Sequence, residues 1–519
     1  MSALAQRLPQ KEAYDRSREN FEQLVGFMDS TEASSMTHSE LEREIEKRGR
    51  ELMRMLLQEH IDNRGPGKCQ QPVVGADGVE RSRVRIQKRD IESVFGPIEE
   101  ERAGYGQKGV ESLHPLDAEL NLPDEVYSLE LRRRVAEEVA RNSYDETFEM
   151  VHKTTAGHVP KRQIEELTIR AARDFDPFYQ RRHAEAVVVQ DSGPILVISA
   201  DGKGVVMRPE DLREPTRKAA EARNHKMETR LSKGEKRNAK RMATVAAVYT
   251  TMPFVRRPED LMAGSRLHGD GPARPRPEQK RVWASIEKEP KEVIEEAFRE
   301  ARYRDPAHEK KWVVLLDGNK TQIRIVRHRA KKEGLQPTII VDLIHVIEYL
   351  WKAGRAFHPE TGPELESWVG QRLLEILRGN AGFVAGGMRR SATLRGLGPT
   401  QRKSVDTCAD YLLNYGPYLK YNRYLAQGLP IATGVIEGAC RHLVKDRMEV
   451  TGARWSLTGA EAVLKLRALR SSHDFDEYWS FHEAQEYKRN HQALYVGGIV
   501  PATIKPRKTR SRSRLKVIK

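Results

Sequence analysis

Residues 313–320 read VVLLDGNK: four apolar residues run straight into an aspartate and a glycine. Such a run, closed by a turn signal, predicts a buried strand with a carboxylate, Asp317, at its end. Residues 195–203, ILVISADGK, repeat the shape and predict a strand ending at Asp201. Gly318 and Gly202 follow the two acids and let the chain turn sharply. Either aspartate alone also reads as an ordinary turn residue. Two of them, each closing an apolar run, point to carboxylates brought together from separate parts of the chain.

The surrounding pattern supplies a scaffold. Residues 195–199, 204–207 and 243–249 predict three strands suited to an antiparallel meander. An amphipathic helix at 283–303, a strand at 312–317, a basic helix from 320, a strand at 338–342 and the helix LIHVIEYLWKA then alternate. That alternation suits parallel crossovers, so a mixed five-stranded sheet flanked by helices is expected, with the strand of Asp317 beside that of Asp201. Two carboxylates a few ångströms apart repel each other and lose hydration unless a cation sits between them. Hard divalent ions with oxygen ligands, Mg²⁺ or Mn²⁺, fit that need.

A third acid comes from GVIEGACRHLVKDRM. Ile436, Cys440, Leu443, Val444 and Met448 form an apolar helical stripe, which leaves Glu437 at its polar edge with Arg441 and Lys445 following at four-residue steps. The plain reading is an i,i+4 Glu–Arg pair. The functional one is a metal-ligating Glu437 with two cations placed to meet phosphates. Asp342 and His345 lie three apart where the last strand enters its helix; they read either as an N-cap with a core histidine or as site residues, His345 orienting a nucleophile or touching a phosphate. Two ions about 3.5–4 Å apart on three carboxylates would clamp the attacking and leaving oxygens of a phosphodiester.

Composition agrees with a polyanionic partner. Lys and Arg number 90 against 75 Asp and Glu, a formal charge of +15. Basic segments concentrate it: residues 208–241 hold 12 Lys and Arg against 6 acids, and 505–519 hold eight with no acid. These would bind a nucleic-acid backbone without sequence choice, or be solvated surface. Three scattered cysteines exclude a disulfide framework. No apolar window approaches a membrane span and no signal segment is visible, so a cytoplasmic, nucleoid-associated protein is expected.

Residues 143–172 carry helix-turn-helix character, with Gly157 in the turn and Ile164, Leu167 and Ala171 on one face of the last helix. Lys161, Arg162, Gln163 and Arg170 are then free to face double-stranded DNA. A plain helical hairpin remains the other reading. Tyr418, Tyr421 and Tyr424, at three-residue steps, read as core before they read as a stacking platform.

Together, ISADGKG, VVLLDGNK, VDLIHVIEYLW, ATGVIEGACRHLVKDRME and TGARW resemble the ISKra-type insertion-sequence transposases, within the mutator-like group of DDE transposases. FGPIEEERAGY, LHPLDAELNLPDEVYS and RQIEEL resemble that family's N-terminal half, so the likeness runs from about residue 20 to about 490. It implies an RNase H-like catalytic domain with Asp201, Asp317 and Glu437 as the metal-binding triad, Asp342 and His345 as an accessory element, and two Mg²⁺ or Mn²⁺ ions. Arg454, in a TGARW that departs slightly from relatives with Ser and Met before Arg-Trp, joins Arg441 and Lys445 as an expected DNA contact. The implied reaction is cleavage at the ends of a mobile element and strand transfer into target DNA, by a homodimer or higher oligomer. A regulator with an inert sheet domain and a nuclease that does not transpose are the alternatives.

The expected organisation is multidomain α+β. A helical region at 1–62 and a small strand and loop region at 63–123 precede a helix-turn-helix domain at 124–175. The catalytic core begins at 186–350, with a basic arm at 208–241 and a linker at 255–280. A helical insertion at 351–430, the last core helix at 431–475 and a basic tail at 476–519 complete it.

Overall fold

The computed structural model describes residues 14–185, 192–221, 239–262, 273–358, 360, 362–432 and 434–505. Much of the expected arm at 208–241, the middle of the expected linker at 255–280 and the tail beyond Lys505 lie outside these residues. The chain forms two units: the described residues up to Asp174 together with those from Asp476 on, and Phe175–Phe475.

In the first unit the helix His38–Arg64 opens at Thr37, whose backbone N–H donates to the Glu40 carboxylate at 2.8 Å, and ends at Gly65 with φ 68°. Strands β1 (Arg83–Ser93), β2 (Gly96–Gln107) and β3 (Val110–Leu113) form an antiparallel sheet in that order. β1 and β2 join in a hairpin at Val94–Phe95, with Gly96 at φ 107°; β3 is an element the sequence reading lacked. Helices Leu129–Val139, Tyr144–Thr154 and Lys161–Ala171 pack on one another. The hydroxyls of Ser128 and Ser143 cap the first two, accepting from the N–H groups of Leu131 and Glu146.

The chain from 476 to 505 is not a tail. The helix Phe475–Asn490 continues from Asp476 into this unit, and Tyr495 lies in a core with Val73, Ala103, Tyr105 and Leu113. The helix buries Tyr478, Trp479 and Phe481 and, beyond them, His482 and Glu486. His482 Nδ1 bonds Asp174 Oδ2 at 2.7 Å, Arg489 donates to Asp174 Oδ1 at 2.6 Å, and Glu486 accepts from Arg132 at 3.0 Å and from Arg173.

The second unit holds the expected mixed five-stranded sheet, with one change of membership. Its strands are β4 (Ile195–Val206), β5 (Lys240–Thr251), β6 (Glu278–Ser285), β7 (Lys311–Leu316) and β8 (Thr338–Val341), in the order β6-β5-β4-β7-β8. β4 is antiparallel to β5 and parallel to β7, β5 is antiparallel to β6, and β7 is parallel to β8. The segments expected as separate strands at 195–199 and 204–207 are one strand, because ADGKG stays paired to β5 throughout. The third strand is β6, which occupies the end of the expected linker and the start of the expected helix at 283; that helix begins at Pro290 instead and runs to Arg304. Near-continuous burial of 195–200 and 243–251 matches a sheet covered on both faces.

Helices Pro363–Leu377, Ala381–Leu394, Pro399–Asn414 and Tyr421–Ala426 make up the helical stretch expected after the sheet. Tyr421 is fully buried and its hydroxyl donates to Val341 O at 2.6 Å, fixing the end of β8. The core reading of that tyrosine holds. No described helix is long and apolar enough to cross a membrane.

Candidate functional site

Parallel pairing of β4 with β7 ends at the register pair Ala200–Leu316. Asp201 and Asp317 are therefore the next residue on each of two adjacent strands, about 4.8 Å apart in the sheet direction. Asp201 does not end its strand; it sits where β4 loses β7 as a neighbour but keeps β5, opposite Val245. Asp317 does leave its strand, at a turn in which Gly318 has φ 89°. A Cβ at Gly318 would lie 2.7 Å from the Tyr411 hydroxyl, so the close approach of that tyrosine requires glycine.

Both carboxylates are held by their own turns. Asp201 Oδ1 accepts from Gly202 N–H at 2.6 Å, and Asp317 Oδ1 accepts from Asn319 N–H at 2.7 Å. Burial raises the Asp317 carboxyl above its ordinary range and the Asp201 charge adds to the rise, while the Asn319 N–H and the nearby His345 pull it down. The site thus has the electrostatics expected of two acids pressed together, with half-buried His345 in range of one of them.

The third element is the segment of Glu437. The helix Gly434–Ala439 passes into a π-helical turn, Cys440–Lys445, before Asp446–Met448. The regular four-residue steps expected along this helix are therefore broken, a distortion that recurs at functional sites. The Cys440 thiol donates to Asp201 Oδ2 at 3.3 Å. Burial first, and then the charge of Asp201, raises the pKa of the Cys440 thiol and keeps it protonated, with Lys203 opposing and Glu437 reinforcing. Cys440 read from sequence only as a member of the apolar stripe; its partner lies far away along the chain.

Glu437 itself is exposed and has no ion pair among the described residues. The carboxylates of Asp201, Asp317 and Glu437 do not form a group with ligand atoms all within 4.8 Å of one another. Among the described residues the group that does is Asp174, His482 and Glu486 in the first unit. Arg132, Arg173 and Arg489 already neutralise its two carboxylates, so ion pairing accounts for it.

The remaining expected residues divide. Asp342 is buried and accepts from Ile344 N–H at 2.9 Å as N-cap of the helix Leu343–Gly354, the plain reading of that residue. Arg441 leans on Asp446 at 3.6 Å, and Lys445 and Arg454 are exposed. Trp455 is core: its Nε1 donates to Met448 O at 3.1 Å and Arg447 lies 4.7 Å over its ring. In the first unit Lys161 pairs with Asp145 at 2.5 Å and Arg170 with Glu125, so neither is free as expected. Arg162 is well exposed, with Glu166 at 3.5 Å, and Gln163 is half-buried.

Tyr411 is a site residue the sequence reading missed. Its hydroxyl donates to the Asp317 carbonyl at 3.0 Å, and its ring stacks on Tyr349 with centroids 4.1 Å apart. Only its position on a helix 94 residues away in sequence could have hinted at this contact, and that is not a local signal. No family model matches the chain, and no curated protein matches it.

Proposed function

We propose that the chain is the DNA transposase of an insertion sequence, which binds element ends and carries out metal-dependent phosphodiester cleavage and strand transfer. One observation carries the reading: Asp201 and Asp317 follow the last register pair of two adjacent parallel strands, and the segment bearing Glu437 touches Asp201 through Cys440. The strand order, three antiparallel strands followed by two parallel ones with the first strand central, supports an RNase H-like core. The three packed helices at 129–171 support a helix-turn-helix reader of the ends, with Arg162 well exposed on the last of them.

The donor set suits a hard divalent cation, since Asp201, Asp317 and Glu437 offer carboxylate oxygens. Charge between Asp201 and Asp317 would also relieve the repulsion that raises the Asp317 carboxyl. Two Mg²⁺ or Mn²⁺ ions would supply activation of water or a 3′-hydroxyl and stabilisation of the leaving oxygen. The chain's own residues do the positioning. The Gly202 and Asn319 amides fix the two aspartates. Tyr411 and the tight turn at Gly318 hold the Asp317 backbone. His345, whose proximity lowers the Asp317 carboxyl, would meet a phosphate oxygen there, and exposed Lys445 and Arg454 would meet the flanking phosphates.

The test is a cleavage and joining assay on duplex DNA that flanks the chain's own gene, with Mg²⁺. Nicked ends and joined product together support a transposase. Cleavage without joining leaves a nuclease, and specific binding without cleavage leaves a regulator.

A further inference from the structure

The helix Lys320–Lys332, which follows Asp317 directly, reads KTQIRIVRHRAKK: six Lys and Arg and no acid. Lys320, Arg324, Arg327 and Lys331 are exposed and have no ion pair among the described residues. They line a cavity of about 940 Å³ whose other wall includes Tyr415 and Tyr418. Tyr415 caps the helix Pro399–Asn414, the same helix whose Tyr411 holds the Asp317 carbonyl. The basic groove therefore begins beside the candidate site and runs about 20 Å along the helix.

Several cations on other helices are neutralised by acids one turn away. Arg48 and Arg50 pair with Glu44 and Glu46, Arg134 with Glu130, and Lys218 with Glu214. Even in the helix beside the groove, Arg329, which is not among the residues lining it, pairs with Glu333 at 2.6 Å. The four groove-facing cations have no acid partner among the described residues, although Lys320–Arg324, Arg324–Arg327 and Arg327–Lys331 then repel at i,i+3 and i,i+4 spacing. A helix face that keeps like charges one turn apart, with no acid between them, fits a ligand that brings a row of negative charges.

We propose that this face binds the phosphate backbone of duplex DNA and guides it to and from Asp317. The proposal rests on the reading of the site as one that acts on DNA. It names a binding surface outside the helix-turn-helix and outside the Glu437 segment. Contacts of this kind position the duplex and carry no base specificity.

The experiment is fluorescence anisotropy of the full chain with a labelled 30-base-pair duplex of random sequence, in EDTA, over a KCl series. Each neutralised phosphate contact contributes about 0.9 to the slope of log affinity against log salt. The triple variant Arg324→Ala, Arg327→Ala, Lys331→Ala should therefore flatten the slope by about 2.7. A charge-conserving variant, Arg324→Lys, Arg327→Lys, Lys331→Arg, should keep the native slope. An unchanged slope in the alanine variant overturns the proposal. So does an equal loss in the charge-conserving variant, which would mean a structural effect, or a loss seen with single-stranded RNA and not with duplex DNA. Binding in EDTA needs no catalysis, so a chain that binds through this face but never cuts would sink the enzyme reading and leave the surface standing. A chain that cuts while the alanine variant keeps its slope would do the reverse.

Discussion

Replacing Glu100 by Gln should stabilise the first unit above neutral pH. Glu100 is wholly buried on β2, opposite Arg89 of β1, and neither of its carboxylate oxygens has a hydrogen-bond partner. Asp117, close by, takes the ion pairs instead, from Arg89 at 3.1 Å and from Arg102. Burial first, and then the Asp117 charge, pushes the Glu100 carboxyl from 4.5 up to about 7, against the pull of Arg102 and Arg89. A rise of this size corresponds to about 3 kcal/mol, at about 1.4 kcal/mol per unit. Between 4.5 and about 7 the folded chain holds a proton that the unfolded chain has lost. Stability from this group is thus fully present below 4.5 and is lost as pH rises through about 7. Glutamine keeps the shape and cannot ionise, so the variant should gain up to about 3 kcal/mol over the native chain at pH 8 and little at pH 4.5. Hydrogen exchange of the β1–β2 amides, corrected for intrinsic rates, reads this locally in the full chain. Amides less protected in the variant than in the native chain at pH 8 would refute the reasoning.

Two further perturbations address the functional reading. Cys440→Ala removes the thiol from Asp201 Oδ2 and should cost about 1 kcal/mol of stability, while Cys440→Ser, which keeps a donor, should lose less end cleavage than the alanine variant; equal activities would detach the thiol from the chemistry. Arg162→Ala should weaken binding to element ends by about 1–3 kcal/mol more than binding to random duplex, measured by competition; equal losses on both would make it a backbone contact.

Much of the sheet was legible because its strands are covered on both faces. ILVIS, ATVAAVY, WVVLL and TIIV are mostly apolar runs without a charge, and all four fall in strands of the five-stranded sheet. β6 was not legible, since EQKRVWAS opens on charges at the sheet edge, and its buried half, from Arg281 to Ser285, looks like the start of the next helix. The far half of β4 was hidden for another reason: Gly202, Lys203 and Gly204 carry no apolar pattern, and only the ladder to β5 keeps them extended. In the helix Phe475–Asn490 the buried aromatics Phe475, Tyr478, Trp479 and Phe481 give way after the second turn to His482 and Glu486, whose partners Asp174 and Arg132 lie more than 300 positions away.

At the candidate site, Asp201, Asp317 and Glu437 were legible as acids attached to predictable elements. What holds them was not. Cys440 on Asp201 and Tyr411 on Asp317 are contacts across 239 and 94 residues, set by how elements pack and not by any local spacing. The π-helical turn after Ala439 also leaves no mark in the apolar periodicity, which reads as one regular helix through Met448.

The central claim is that Asp201, Asp317 and Glu437 act as one unit on a phosphodiester. The most direct measurement is the rate of Mg²⁺-dependent end cleavage by Asp201→Asn, Asp317→Asn, Glu437→Gln and the corresponding double variants, with end binding measured alongside. Groups that act together are strongly non-additive. Each single variant should lose at least about 10³-fold in cleavage while still binding ends, and the doubles should be no worse than the singles. Cleavage by Asp317→Asn or Glu437→Gln at the native rate, or losses that multiply in the doubles, would contradict the account.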